Sequence, residues 1–261
     1  MIKKISFNRK ILLWSTFVSI LFAYLGVIVL SKTGTPNDPF IARLMVIANF
    51  SLVLGFSSST AATSIASLFV TQSASFGYIF KHTRIKKWNY ILSFIAGSFP
   101  LFLINAAILL IFVTLLVKIR VGSLSFPASP LFSIPMIMIL ALAYGVLFTT
   151  FAIVVFSISI ICSNRNAIVY TRYIPLLVFV IVYFLIVNGV HYISVYLLPF
   201  LSLDYIIYFA YTGSIIFPIS VVIPFKINLE LASLSILSGI LLLVSIMYIL
   251  SDRIYERNHR E

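Results

Sequence analysis

Apolar residues do not alternate with polar ones along this chain; they come in long uninterrupted runs at residues 11–31, 44–70, 91–117, 131–161, 174–196 and 229–250. Each run reaches the about 20 residues that a helix needs to cross a bilayer core. Lipid offers backbone amides no hydrogen-bonding partner, so the runs predict helices. A transmembrane barrel would instead show segments of roughly ten residues with a polar side chain at every second position. No stretch here has that alternation. The pattern predicts an all-α polytopic membrane protein, a single transmembrane domain over residues 1–261 with six transmembrane helices.

Six spans leave three connections on the outer side: residues 31–42 around Thr35-Pro36-Asn37-Asp38-Pro39, residues 118–130, and a longer stretch from His191 to Asn228. The first two read as turns. Within the third, residues 199–223 are apolar enough to count as a seventh crossing, and charge decides against it. Basic residues gather at Lys3, Lys4, Arg9 and Lys10, at Lys81, Arg84, Lys86 and Lys87, at Arg165 and Arg172, and at Arg253, Arg257 and Arg260. An even number of spans puts all four groups on one side, which the positive-inside rule identifies as the cytoplasm. Both termini are then cytoplasmic and the protein sits in the cytoplasmic (plasma) membrane. Pro199, Asp204, Pro218 and Pro224 also interrupt the third connection, so it reads as re-entrant or interfacial helices on the outer face.

Composition agrees with a chain dissolved in lipid: 62% hydrophobic residues, 9% charged and a mean hydropathy of +1.16. The net charge of +12 would fit nucleic acid only as a basic stripe on a soluble surface. Here the bases stand at span ends, where orientation and lipid headgroups account for them, so no nucleic-acid partner is expected. The first apolar run, preceded by four bases, reads as a retained span rather than a cleaved leader, because it is too long and no small-residue cleavage site follows cleanly.

Several chemistries lack their residues. No G-x-x-x-x-G-K-[ST] loop occurs, so P-loop ATP hydrolysis by this chain is not expected, and it is not read as an enzyme. The acidic residues are Asp38, Asp204, Glu230, Asp252, Glu256 and Glu261, none deep in a predicted span. That speaks against an ion-driven carrier, which needs an ionisable group near the midplane. His82, His191 and His259 fall on different connections or the tail. His191 and Asp204 share the outer connection, but a solvated loop histidine is the simpler account of the pair than an intramembrane enzyme. Cys162 is the sole cysteine, which excludes an intrachain disulfide and a cysteine metal cluster; it reads as a small packing residue. No metal or cofactor is expected in this chain.

Two features remain. Residues 71–90, between spans two and three, mix aromatics and bases without acids. A short amphipathic helix there would set Phe76, Ile79 and Phe80 on one side, either anchoring at the interface or docking a protein. In span two, Ser51, Gly55, Ser59, Thr63 and Ser67 recur every fourth residue and give one face on which a partner helix can approach closely, within the subunit, across a dimer or along a pore. Gly97, Pro100, Asn105, Pro135 and Gly145 read as kinks and packing sites.

With Gly77, the basic run Thr83-Arg84-Ile85-Lys86-Lys87-Trp88 and the start of span three at Tyr90, the chain resembles the membrane subunit of an ABC transporter, of the six-span ABC-2 exporter type. No Glu precedes Gly77, and Arg84 stands where that family commonly has proline. The resemblance extends to the basic lead-in, the turn around Asn164 to Pro175, the Pro199-bearing outer stretch and the basic tail. It implies a permease that exports a hydrophobic or amphipathic substrate, paired with a second permease subunit in a homo- or heterodimer. Separate ATPase subunits would hold ATP and magnesium and press on a cytoplasmic coupling helix, touching Phe76, Gly77, Phe80, Lys81 and Arg84. The alternative is a non-transporting membrane anchor or assembly subunit for a soluble partner.

Overall fold

The computed structural model describes residues 9–25, 39–73, 87–121, 130–161, 173–188, 192–213, 216–217, 225–226 and 228–258. Eight helices account for most of them: α1 (Arg9–Tyr24), α2 (Pro39–Ser73), α3 (Lys87–Val121), α4 (Pro130–Ile161), α5 (Ile174–Asn188), α6 (Tyr192–Leu197), α7 (Pro199–Thr212) and α8 (Leu229–Asn258). The described residues also hold one antiparallel strand pair, β1 (Ile216–Phe217) with β2 (Phe225–Lys226), in the register Ile216 to Lys226 and Phe217 to Phe225. Helix prevails for the reason read from sequence: it closes every backbone hydrogen bond within the segment.

Among the described residues, four helices are long and apolar enough to cross a membrane, through Phe50–Phe69, Trp88–Leu116, Leu131–Ser159 and Leu229–Leu250. Shorter apolar helices span Leu13–Tyr24 and Ile174–Ile186. The protein is an integral membrane protein. At about 1.5 Å per residue, the 35 residues of α2 or of α3 measure about 52 Å, so both helices extend well beyond a hydrocarbon core of about 30 Å. Large apolar side chains such as Leu13, Trp14, Phe17, Leu177, Phe184, Leu234, Leu237 and Leu241 point away from the bundle, where acyl chains are their natural solvent.

Within the run predicted over residues 174–196, the described residues Ile174–Asn188 and Tyr192–Leu197 are helical.

α4 is the hub, packing on α2, α3, α5, α7 and α8, while α1 covers α2 and α3. Packing α4 this closely relies on small residues. A side chain at Gly145 would collide with the Phe102 ring of α3. Since lipid tails are as apolar as the helices, association rests on such van der Waals contact and on hydrogen bonds between helices rather than on hydrophobic burial. One such set of bonds joins α1 to α3. Thr16 Oγ1 donates to Asn105 Oδ1 at 2.6 Å, and Asn105 Nδ2 donates to Ser15 Oγ at 2.7 Å. The N-terminus of α8 is capped by Asn228, whose Oδ1 accepts from the amides of Glu230 and Leu231 at 3.0 and 3.3 Å.

Candidate functional site

α7 differs from the four long apolar helices. It has 14 residues, too few to cross a bilayer, and all but a few of its side chains are buried. A helix that is apolar around its whole circumference belongs inside a protein rather than on its surface, and α7 packs on α2, α4 and α8 as well as on α6 and α5. Pro199 opens it, where a missing amide costs nothing, and Gly213 closes it at φ 69°, its amide returning to the Phe209 carbonyl. Ser202 Oγ donates to the Val195 carbonyl at 2.7 Å and ties α7 to α6.

The first turn of α7 lies at mid-height of its neighbours. A side chain at Gly239, halfway along the apolar part of α8, would run into the Pro199 ring, with Leu147 of α4 next to it. Phe200 packs its ring on Phe148 of α4 at a centroid distance of 4.5 Å, and Phe148 stacks on Tyr144. At the opposite end Tyr211 reaches Phe50 of α2 and, at 3.3 Å, the Thr114 hydroxyl of α3.

This placement corrects the reading of Asp204. The sequence sets it among re-entrant or interfacial helices on the outer face, not deep in any span; the structure buries it completely, at 0% exposure. It stands one turn after Phe200, and helical side chains lean toward the N-terminus, so its carboxyl is directed toward mid-height. The Tyr144 hydroxyl lies beside the carboxyl and meets the Phe200 carbonyl oxygen at 3.3 Å. Neither carboxyl oxygen has a hydrogen-bond partner of good geometry among the described residues. The proximity is therefore electrostatic contact rather than a formed hydrogen bond. Space is tight: a Cβ on Gly55 of α2 would fall 2.8 Å from the Tyr144 hydroxyl oxygen and 3.3 Å from the Phe179 ring.

The small-residue face of α2 turns mainly into this core. Ser51 and Ser59 are fully buried, and Gly55 gives Tyr144 its place. Ser59, Thr63 and Ser67 return their hydroxyls to the carbonyls of Phe56, Thr60 and Ser64, with Thr63 and Ser67 only half-buried. Phe76, Gly77, Phe80, Lys81 and Arg84 lie outside the described residues, as do Cys162 and His191. The described residues contain no group of three His, Cys, Asp or Glu able to hold a metal.

Sequence inspection missed the burial of Asp204 because the charge pattern ruled out a seventh crossing there and the prolines then placed the run on the outer face. One signal was available: the helix from Pro199 to Thr212 has no polar face, so it had no side to turn to water. An unpaired carboxylate at the centre of a membrane helix costs about 3 kcal/mol or more. A side chain held at that cost is a candidate for function. No family model matches the chain, and no curated protein or solved structure matches it either.

Proposed function

We propose that the protein is the membrane subunit of an ABC-2 type transporter, moving a hydrophobic or amphipathic substrate outward with energy from a separate ATPase subunit. The observation that carries this is α7 reaching the mid-height of α2, α4 and α8. Six apolar helices with a short returning element between the fifth and the sixth is the architecture the resemblance implies. In this arrangement α1, α2, α3, α4, α5 and α8 are the six spans, α6 and α7 form a re-entrant pair entered from the outer face, and both termini are cytoplasmic. A bundle lined by Ser, Thr, Tyr and Phe suits a cargo without strong charge.

The cytoplasmic segment at residues 71–90 transmits the force in this scheme, with Phe80 pressed into the ATPase subunit. A second copy of the permease, or a related one, completes the path. Co-expression with the ATPase encoded nearest to it and reconstitution in liposomes tests the proposal. Phe80→Asp should insert normally yet abolish substrate-stimulated ATP hydrolysis by the complex, a loss of tenfold or more for about 1.4 kcal/mol of lost coupling. If Phe80→Asp releases the soluble partner and the wild-type complex moves no cargo, the protein is an anchor instead. Translocation by the purified chain alone would sink both readings.

A further inference from the structure

Asp204 stands apart from everything the transport scheme uses. Its carboxyl is fully buried beside the Tyr144 hydroxyl of α4, and that hydroxyl is in turn packed against Gly55 of α2. A buried carboxylate needs a cation, a set of hydrogen-bond donors or a proton. The described residues of α4, α5 and α7 contain no Lys or Arg, and the bases of α2, α3 and α8 lie toward helix ends. The donors are missing as well, since both oxygens are unpartnered. A metal cation would need several oxygens converging on it, whereas the hydroxyl beside the carboxyl, that of Tyr144, already faces the Phe200 carbonyl. The occupant that needs no such set of ligands is a proton.

We propose that Asp204 is a proton-binding site, loaded while α7 is seated among α2, α4 and α8 and emptied when α7 leaves that seat. The other titratable groups around α7 are Tyr144 on α4, Tyr205, Tyr208 and Tyr211 on α7, Tyr196 on α6 and Tyr183 on α5. α2 offers none between Phe50 and Phe69, and α8 has Glu230 at its start, exposed, an exposed Tyr248 further along, and Asp252, Arg253, Tyr255, Glu256 and Arg257 in its last turns. A phenol ordinarily ionises only near pH 10, so Asp204 is the group whose charge changes with the movement. The seated state holds one more proton than the open state at any pH where a water-exposed aspartate is ionised. By linkage, raising the pH favours the open state, by up to about tenfold per pH unit. The direction is fixed: acid seats α7 and base releases it. This inference rests on the bundle alone and holds whether or not an ATPase drives the protein.

Hydrogen exchange of the α7 backbone, in the full chain in lipid nanodiscs across a pH series, tests it against Asp204→Asn, which keeps the shape and cannot ionise. The intrinsic pH dependence of exchange is common to both and cancels in their ratio. Opening of α7 in the wild type should match the variant in acid and exceed it increasingly as pH rises. A ratio that stays flat overturns the proposal. Should Asp204→Asn fail to fold, infrared spectra of wild-type protein with aspartate labelled at its side-chain carbon give a second reading. A protonated carboxyl band at neutral pH that shifts in Tyr144→Phe supports the proposal. A fully ionised spectrum in choline buffer, or loss of the band when sodium is added, overturns it and in the second case identifies a metal cation as the occupant.

Discussion

Asn105 and Asp204 are both buried polar side chains at mid-height of the bundle, and they are treated in opposite ways. Asn105 of α3 is held on both sides, its carbonyl oxygen by Thr16 and its amide by Ser15 of α1. Asp204 of α7 has a tyrosine beside it and no bond to either oxygen among the described residues. A polar group whose partners are supplied fastens two helices together. One whose partners are withheld keeps its element easy to displace, because leaving the seat relieves the desolvation of the carboxyl. α3 is thus fixed by its polar residue, and α7 is poised by its own.

Gly55→Leu should have the largest effect. Gly55 sets how closely α2 approaches Tyr144 and Phe179, and a side chain there forces α4 or α5 outward. Overpacking of this kind costs about 3 kcal/mol, visible as a lowered midpoint of thermal unfolding in detergent, with Gly55→Ala losing clearly less. A fully tolerated Gly55→Leu would mean that the seat of Asp204 is loose, and the contrast with Asn105 would fail at its premise.

The contrast itself is measured by removing each polar group in turn. Asn105→Leu should cost about 1 kcal/mol, since two interhelical hydrogen bonds in a membrane bundle are worth about 0.6 kcal/mol each. Asp204→Leu, of similar size, should cost nothing at neutral pH or raise stability, because it deletes a desolvated group that made no bond. Equal losses at the two positions would show that Asp204 is partnered in the folded protein.

Much of the bundle was readable in the order of residues. Runs of about 20 apolar residues have few fates other than spanning helices, and the described parts of all six runs are helical. What escaped depends on contacts between distant parts of the chain. The partners of Asn105 lie 89 and 90 residues away, and no local periodicity encodes such a pairing. The same holds for α7. Its prolines and aspartate mark an interruption equally well on a membrane surface and inside a bundle, and only the packing of Pro199 against Gly239 distinguishes them. The residues between Ser73 and Lys87, where the ATPase contacts are expected, lie outside the described structure.

The smallest effect separates the two halves of the Asn105 clamp. Ser15→Ala removes the acceptor of the Asn105 amide, while Thr16→Val removes the donor to its carbonyl oxygen. Each should cost about 0.6 kcal/mol in reversible unfolding from mixed micelles, and each cost should vanish in an Asn105→Leu background. Thr16→Ser, which keeps the hydroxyl, should restore most of what Thr16→Val loses. The cycle matters because a polar side chain can be buried beside hydroxyls without gaining from them, as Asp204 is beside Tyr144. Coupling energies near zero at both Ser15 and Thr16 would place Asn105 in the same class as Asp204, and the bundle would then have no polar fastening between α1 and α3 to set against its releasable helix.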